Sequence, residues 1–347
     1  MKFTILGDLH FGVRASLPIF YYHMEIFFDY FFDYLKQNNI TTLFQLGDLF
    51  DNRKHIHLRT LSEAKRIFFD RLAENNITTH IIIGNHDIFF KESVAINSPE
   101  LLLKEYKNIT VYTKPTTVSI NNTTIDMIPW ICAENEKEIL QYIKNSKSDL
   151  CFGHFDIINF EMYRGMISLT GISEKIFSRY ELVCSGHFHT RSQKHNVLYT
   201  GTPAEQTWQD YNEIRGFHVF DTETRNLEFI RNSESVFVRL EYNKELLTKS
   251  HPSLTNKFVK LVIFNKGDMY KFETFLKKLY NENPYEVKII EDINQNYDVD
   301  LDESLNLENT LSVVGHYIDK SEYTVDKAKL KDLMNSLYLD ALNGELS

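Results

Sequence analysis

The chain has 347 residues, 43% hydrophobic and 25% charged, which at roughly 150 residues per domain gives about two domains with enough apolar mass for a real core. Thirteen glycines, seven prolines and three cysteines exclude a collagen-like repeat, a disordered chain and a disulfide scaffold. The net charge of −10 argues at first against a polyanionic partner, but thirteen Asp/Glu against four Lys put Glu291 to Ser347 at −9 and leave residues 1–290 at −1, so such a partner stays open.

Met1-Lys2 runs straight into the strand-like Phe3–Leu6, with no signal peptide between. The most apolar stretch, Ile26 to Leu35, contains Asp29 and Asp33 and is too short to span a bilayer. Further strands are expected at Thr42–Leu46, His80–Ile83, Leu150–Phe152 and Leu182–Cys184, with helices at Ile19–Asn38 and Leu58–Asn75 between the early ones. Val118–Ile120 and Ile125–Ile128, joined through Asn121-Asn122, read as a hairpin. Val197–Thr200, Phe217–Phe220 and Leu227–Ile230 continue as β segments, so an α/β sheet sandwich flanked by helices fits better than a purely parallel sheet.

Beyond residue 235 the pattern changes. Val236–Tyr242 and Phe258–Phe264 alternate like strands, Met269–Asn281 reads as a helix and Tyr285–Ile290 as a strand. Asp292–Asn309 is acidic and aperiodic, and Thr324–Leu342 places Leu330, Leu333, Met334, Leu337 and Ala341 on one helical face. The expected organisation is therefore a body over 1–235, a small α+β unit over 236–291, and an acidic linker with a terminal helix over 292–347. Cys132, Cys151 and Cys184 form no CxxC pair and read as reduced residues of a cytoplasmic protein.

The chemistry lies at the ends of the strands. The first ends in Gly7-Asp8-Leu9-His10, the second in Gly47-Asp48-Leu49-Phe50-Asp51-Asn52, and the third in Gly84-Asn85-His86-Asp87; later ones end in Gly153-His154 and Gly186-His187-Phe188-His189. Carboxyl ends of strands in one sheet lie side by side, where ligands bind in α/β folds. They gather Asp8, His10, Asp48, Asn85, His154, His187 and His189. Seven mixed O/N donors are too many for one ion and suit two six-coordinate ions completed by water. One carboxylate must then bridge, and Asp48 is the natural candidate. Imidazole, carboxylate and amide without thiolate favour Mn²⁺, Fe or Zn²⁺ over Ca²⁺. Two such ions about 3.5–4 Å apart can clamp the attacking and leaving oxygens of a phosphate ester.

A lone Gly-Asp after a strand is more often a turn, and a lone buried His is usually just hydrogen-bonded. His23, His55, His57, His80, His195, His218, His251 and His316 fit that plain account, and none is assigned to metal. Five clusters in the same strand-to-loop position do not.

At these residues the chain resembles the calcineurin-like metallophosphoesterases, whose pattern runs D-x-H, G-D, G-N-H-D/E, G-H, G-H-x-H, with all five blocks in order over residues 8–189. Within them it is most similar to the SbcD-type nuclease subunits of double-strand-break repair, including those of large tailed phages. That likeness rests on Gly47-Asp48-Leu49-Phe50-Asp51, Gly186-His187-Phe188-His189 and Tyr199-Thr200-Gly201-Thr202-Pro203. The resemblance implies a phosphoesterase β-sandwich flanked by helices, with the 236–291 unit as a capping domain. It implies that Asp8, His10, Asp48 and His189 hold one metal and Asp48, Asn85, His154 and His187 the other. His86 would be the catalytic histidine, acting at the leaving 3′ oxygen, and Asp87 would orient its ring through a hydrogen bond. Some members carry His where this chain has Asp51, near the substrate phosphate.

The implied activity is Mn²⁺-dependent cleavage of DNA, as a 3′→5′ exonuclease on duplex ends and an endonuclease on single strands, with Mg²⁺, Fe and Zn²⁺ the alternative metals. The implied partner is an SbcC-type coiled-coil ATPase, mapped loosely onto Thr324–Leu342. A homodimer is also implied, for which the aromatic-rich helix from Phe20 to Tyr34 is a candidate beside its alternative role as core. No membrane is expected as a partner, and the host cytoplasm is the expected location if the gene is a phage's. Arg14, Arg53, Lys54, Lys91, Arg164 and Arg191 near the motif loops are candidate phosphate contacts, with Asp51 beside them. The rivals are a phosphatase or cyclic-nucleotide phosphodiesterase with the same metals, and a non-catalytic scaffold. The intact donor set and His86 oppose the scaffold.

Overall fold

The computed structural model describes residues 1–163, 165–242 and 251–291, together with residues 318, 326–327, 329–331 and 333–334. Two compact units divide the chain, Met1–Gln295 and Asn296–Ser347. In the second, Lys327, Lys329, Leu330, Lys331, Leu333 and Met334 are helical; the acidic 292–309 and the rest of the expected terminal helix lie outside the described residues, as does Arg164. Among the described residues no helix is long and apolar enough to cross a membrane.

In the first unit the strands are, in chain order, β1 (Lys2–Leu6), β2 (Thr42–Gln45), β3 (Thr78–Ile82), β4 (Ile88–Phe90), β5 (Ser93–Asn97) and β6 (Ile109–Tyr112). Then come β7 (Thr116–Ile120), β8 (Thr123–Ile128), β9 (Leu150–His154), β10 (Glu161–Tyr163), β11 (Met166–Ile167) and β12 (Leu182–Gly186). They are followed by β13 (Ser192–Lys194), β14 (Val197–Tyr199), β15 (Gly216–Asp221), β16 (Leu227–Arg231), β17 (Phe237–Tyr242), β18 (Phe258–Ile263) and β19 (Glu286–Glu291). Two six-stranded sheets face each other, ordered β16-β15-β1-β2-β3-β6 and β13-β14-β12-β9-β8-β7. In the first, β1, β2, β3 and β6 run parallel, and in the second β8, β9, β12 and β14 do, so the motif-bearing ends of each set point one way. This is the sandwich expected from the sequence.

Alternation along the strands builds the layers. Phe3 and Ile5 of β1 meet Phe44, Ile82, Met127, Leu150, Phe152 and Cys184 between the sheets, while Leu6, Leu43 and Ile81 face the helices outside. The helix Pro18–Gln37 starts with proline at its first turn and buries Phe27, Phe28, Phe31 and Phe32 against Phe68, Phe69 and Phe217. Burying side chains of this size contributes about 1.5–3 kcal/mol each. Most of the aromatic helix is thus core, and only Tyr22 and Tyr30 of its rings are exposed. The second expected helix is present as Leu58–Ala64, a π turn over Lys65–Phe69, and Asp70–Glu74.

After β16 the parallel sheet β17-β18-β19 and the helix Met269–Asn281 enclose their own apolar cluster of Val238, Leu240, Val259, Leu261, Phe272, Phe275 and Leu279. Phe237 and Phe258 on its other face pack with Val13, Ile19 and Phe20.

Candidate metal centre and active site

The strand ends bring all seven expected donors into one cluster, with Asp8, His10, Asp48, Asn85 and His154 buried and His187 and His189 half-buried. Asp8 Oδ2 accepts the His187 amide at 2.9 Å and lies, through Oδ1, 3.8 Å from His154 Nδ1. His10 Nε2 meets His189 Nε2 at 3.0 Å and Asp48 Oδ2 at 3.7 Å. Asn85 Oδ1 sits 2.9 Å from His154 Nε2 and 3.0 Å from His187 Nδ1, and Asp48 Oδ2 is 3.3 Å from His154 Nε2. Ligand atoms of Asp8, His10 and His189 fall within 4.8 Å of one another, as do those of Asp48, His154 and His187. A third such group, His10, Asp51 and His86, lies alongside.

The backbone is bent to make this convergence. His10, Asp48 and His187 adopt φ of 45°, 53° and 90°, conformations uncommon outside glycine and typical of functional sites. Gly84 and Gly186 are among the glycines required by close approach. A Cβ on Gly84 would stand 2.1 Å from Asp48 Oδ1, and one on Gly186 would stand 2.4 Å from Asp8 Oδ1.

The chemistry of the donors fits a cation. A carbonyl only accepts, so His154 Nδ1 donates its proton to Leu46 O at 2.7 Å. The neutral ring then turns the Nε2 lone pair onto Asn85 Oδ1 and Asp48 Oδ2. Three acceptors cannot face each other without a positive charge among them. In the protein alone a proton supplies it: burial opposes charging His154, yet Asp48 and Asp8 prevail and raise its pKa to about 9. Burial would also raise Asp48, but His154 and His86 outweigh it and hold that carboxylate well below its ordinary range. Asp8 is pushed well up, mainly by burial. Burial and neighbouring imidazoles keep His10 and His187 neutral; for His189, burial and the Arg215 guanidinium lower the pKa to about 3. Among the described residues, His10 Nδ1 is buried without a hydrogen-bond partner. Neutral imidazoles at His10, His187 and His189 around the ionised Asp48 are the form in which such residues bind a metal, and a cation would take the place of the His154 proton.

His86 lies beside the donors, its ring centroid 4.9 Å from that of His10 and its amide donating to Asp48 Oδ1 at 2.8 Å. Asp87 does not hold this ring as the sequence leads one to expect. Its carboxylate accepts the amides of Asp48, Leu49 and Gly84 at 2.9–3.0 Å, and His86 Nδ1 donates instead to the Asp51 carbonyl at 2.5 Å. The reason is geometric, because the left-handed turn at Asp48 aims its amides at Asp87. Burial, then the Asp48 charge, raise the Asp87 pKa to about 7.

Several contributors carry no motif. Trp130 lies 5.0 Å from His187 and 5.8 Å from His154, ring to ring. Gln45 bonds to both Gly7 O and Gly47 O, tying the first two motif turns; its signal is a polar side chain in an apolar strand. Buried Arg215 donates to the His189 carbonyl and to Asp210 and Glu213.

The candidate phosphate contacts divide. Lys54 and Lys91 are exposed and Arg53 is half-buried, while Asp51 faces His10 at 3.8 Å. Arg14 donates to the Gln206 carbonyl, and Arg191 turns to His218 at 3.1 Å with its guanidinium over Phe229. Among the described residues, none of the histidines set aside as ordinary joins the metal-ligating groups.

Over residues 1–191 the chain matches the family described as calcineurin-like phosphoesterase. It is 36% identical over 350 aligned residues to Exonuclease subunit 1 of Enterobacteria phage T4, covering 98% of this chain and 99% of that one. It is 28% identical over 213 residues to Putative phosphoesterase 244L of Invertebrate iridescent virus 6, 58% of this chain and 69% of that one. A solved structure described as a novel archaeal phosphodiesterase is similar at 15% identity and a TM-score of 0.34, over 67% of this chain and all of that one.

Proposed function

The chain belongs to the calcineurin-like phosphoesterases, and from that premise we propose that it is a two-metal DNA nuclease subunit. The observation that carries this reading is the gathering of seven O/N donors from the ends of both sheets into one cluster. Near-complete coverage by a phage protein named as an exonuclease subunit supports DNA as the substrate.

In this reading Asp8, His10, Asp48 and His189 would hold one cation and Asp48, Asn85, His154 and His187 the other, with Mn²⁺ suited to the mixed N/O set ahead of Mg²⁺, Fe or Zn²⁺. When bound, the pair supplies Lewis-acid polarisation of the phosphodiester and offsets its charge. The residues of the chain do the rest. Asp48 would be the ligand common to both, and Asp87 accepts three amides, locking the Gly47 and Gly84 turns together. The bond from His86 Nδ1 to Asp51 O fixes the ring and leaves Nε2 as the nitrogen for proton transfer. From there His86 would deliver a proton to the departing 3′ oxygen.

The proposed activities are 3′→5′ exonuclease on duplex ends and endonuclease on single strands, in DNA repair and recombination in the host cytoplasm. The proposed partner is an SbcC-type ATPase. We assign residues 1–235 to the nuclease domain, 236–291 to a capping domain and 292–347 to a linker and partner-binding helix. Homodimerisation through the first long helix would use the exposed Tyr22 and Tyr30, since its other rings are core. Arg53, Lys54 and Lys91 are the proposed phosphate contacts.

The test compares a labelled duplex with p-nitrophenyl phosphate in the presence of Mn²⁺. DNA cleavage is expected, and His86→Ser should abolish it with metal content nearly unchanged. Strong hydrolysis of the small ester with DNA left intact would refute the nuclease, and loss of metal in the variant would refute the role of His86.

A further inference from the structure

The hairpin of β4 and β5 leaves the centre directly after Asp87 and is braced at its base. Ile88 is fully buried and pairs with Asn97, and the Ser98 amide donates to the Asp87 carbonyl at 2.8 Å. The Asn97 side chain donates to Val94 O at 3.0 Å and to Glu100 Oε2 at 2.8 Å. From the far side, Glu134 accepts the Val94 amide at 3.1 Å and donates its own amide to Glu92 O at 3.3 Å. This fixed arm carries Phe89 and Phe90 to its tip, 40% and 53% exposed, with ring centroids 4.9 Å apart at 86°. Lys91 and Glu92 make the turn between the two strands.

Two adjacent phenyl rings held in water by so many fixed bonds forgo burial that a core position would give. Their place along the chain suggests what covers them. Four residues span at most about 14 Å, so Phe90 lies within that distance of His86. At that range a strand whose phosphate reaches His86 can lay a base against these rings.

We propose that Phe89 and Phe90 form a stacking platform for an unpaired nucleobase at a DNA end, holding the strand to be cut beside His86. The proposal rests on the nuclease reading above. Every base has a π face, so aromatic stacking serves an enzyme that must accept any sequence, and Lys91 adds positive charge at the same tip. An edge-to-face pair offers flat ring surface to a base, whereas a protein helix would need a groove.

The test uses the full chain and a duplex ending in an unpaired 3′-terminal 2-aminopurine overhang, linked by phosphorothioates so that it is not consumed. Binding to the metal-free protein should quench the 2-aminopurine emission. In Phe89→Ala/Phe90→Ala the quench should disappear and affinity fall about tenfold, and Phe89→Tyr/Phe90→Tyr should restore both. Hydrolysis of bis(p-nitrophenyl) phosphate with Mn²⁺ should be the same in all three proteins. Equal quenching in wild type and the alanine variant would overturn the platform, with the nuclease reading judged separately by wild-type cleavage of DNA. Loss of small-ester hydrolysis in the alanine variant would also overturn it, by showing that the hairpin shapes the centre itself. Phe-dependent quenching in a protein that cuts no DNA would keep the platform and remove the nuclease.

Discussion

At the level of single residues, the centre is built as much by what is missing as by what is present. Gly84 has no side chain because Asp48 Oδ1 occupies the space, and Asp48 takes a left-handed φ of 53° so that its amide meets Asp87. Gly84→Ala is therefore expected to leave the sandwich folded while displacing the proposed bridging carboxylate. Disturbing the support of a metal ligand typically costs roughly 10- to 100-fold in affinity, and a loss of that size is expected here. Trp130, 5.0 Å from His187, offers the readout, since Mn²⁺ bound beside it should quench its fluorescence. Unchanged Mn²⁺ titrations in the variant would contradict the placement of Asp48 between the two donor groups.

At the level of elements, the turn from helix to strand is used twice with the same five residues. Asn38-Asn39-Ile40-Thr41-Thr42 and Asn75-Asn76-Ile77-Thr78-Thr79 each end a helix with the second asparagine left-handed, at φ 53° and 54°. The isoleucine then drops into the outer core, and the strand that leads to a motif turn begins. Asparagine tolerates this conformation and a β-branched residue does not. Asn39→Val or Asn76→Val should each cost about 1–2 kcal/mol in urea unfolding, and Asn→Gly at either site should be nearly neutral. Equal losses for Val and Gly would show that the side-chain amide, not the backbone, is the determinant.

The same level explains what the sequence revealed. The strands that carry donors are readable because each is an apolar run stopped by glycine and a polar ligand type. The hairpins β4–β5 and β10–β11 are not, because they are short and largely exposed, without apolar alternation. The helix Glu136–Asn145 escapes notice because it buries only Ile139 and Ile143. The task of Asp87 is not legible at all. Its partners are backbone amides, present at every residue and aimed only by φ and ψ.

In the whole molecule the donors come from two sheets, Asp8, His10, Asp48 and Asn85 following strands of the first, His154 ending a strand of the second and His187 and His189 following another. The centre therefore depends on the apolar layer that keeps the sheets in register. His80 is the one histidine of β3 and points into that layer. It stacks on Phe44 at 4.8 Å and 15°, and its Nδ1 meets the Tyr112 hydroxyl at 2.7 Å, while Nε2 has no hydrogen-bond partner among the described residues. Burial lowers its pKa from 6.5 to about 4. The unfolded chain thus takes up this proton first, near pH 6.5, and the folded chain only near pH 4. The stability at stake is intact above pH 6.5 and drains away as the pH falls through that window, on the order of 3 kcal/mol in all at ~1.36 kcal/mol per unit. His80→Gln keeps a partner for Tyr112 and cannot titrate. Between pH 7 and pH 4.5 the wild type should lose about 2 kcal/mol more than this variant in denaturant unfolding. Parallel losses in the two proteins would mean that the ring charges without disturbing the layer between the sheets, and that acid acts on the molecule elsewhere.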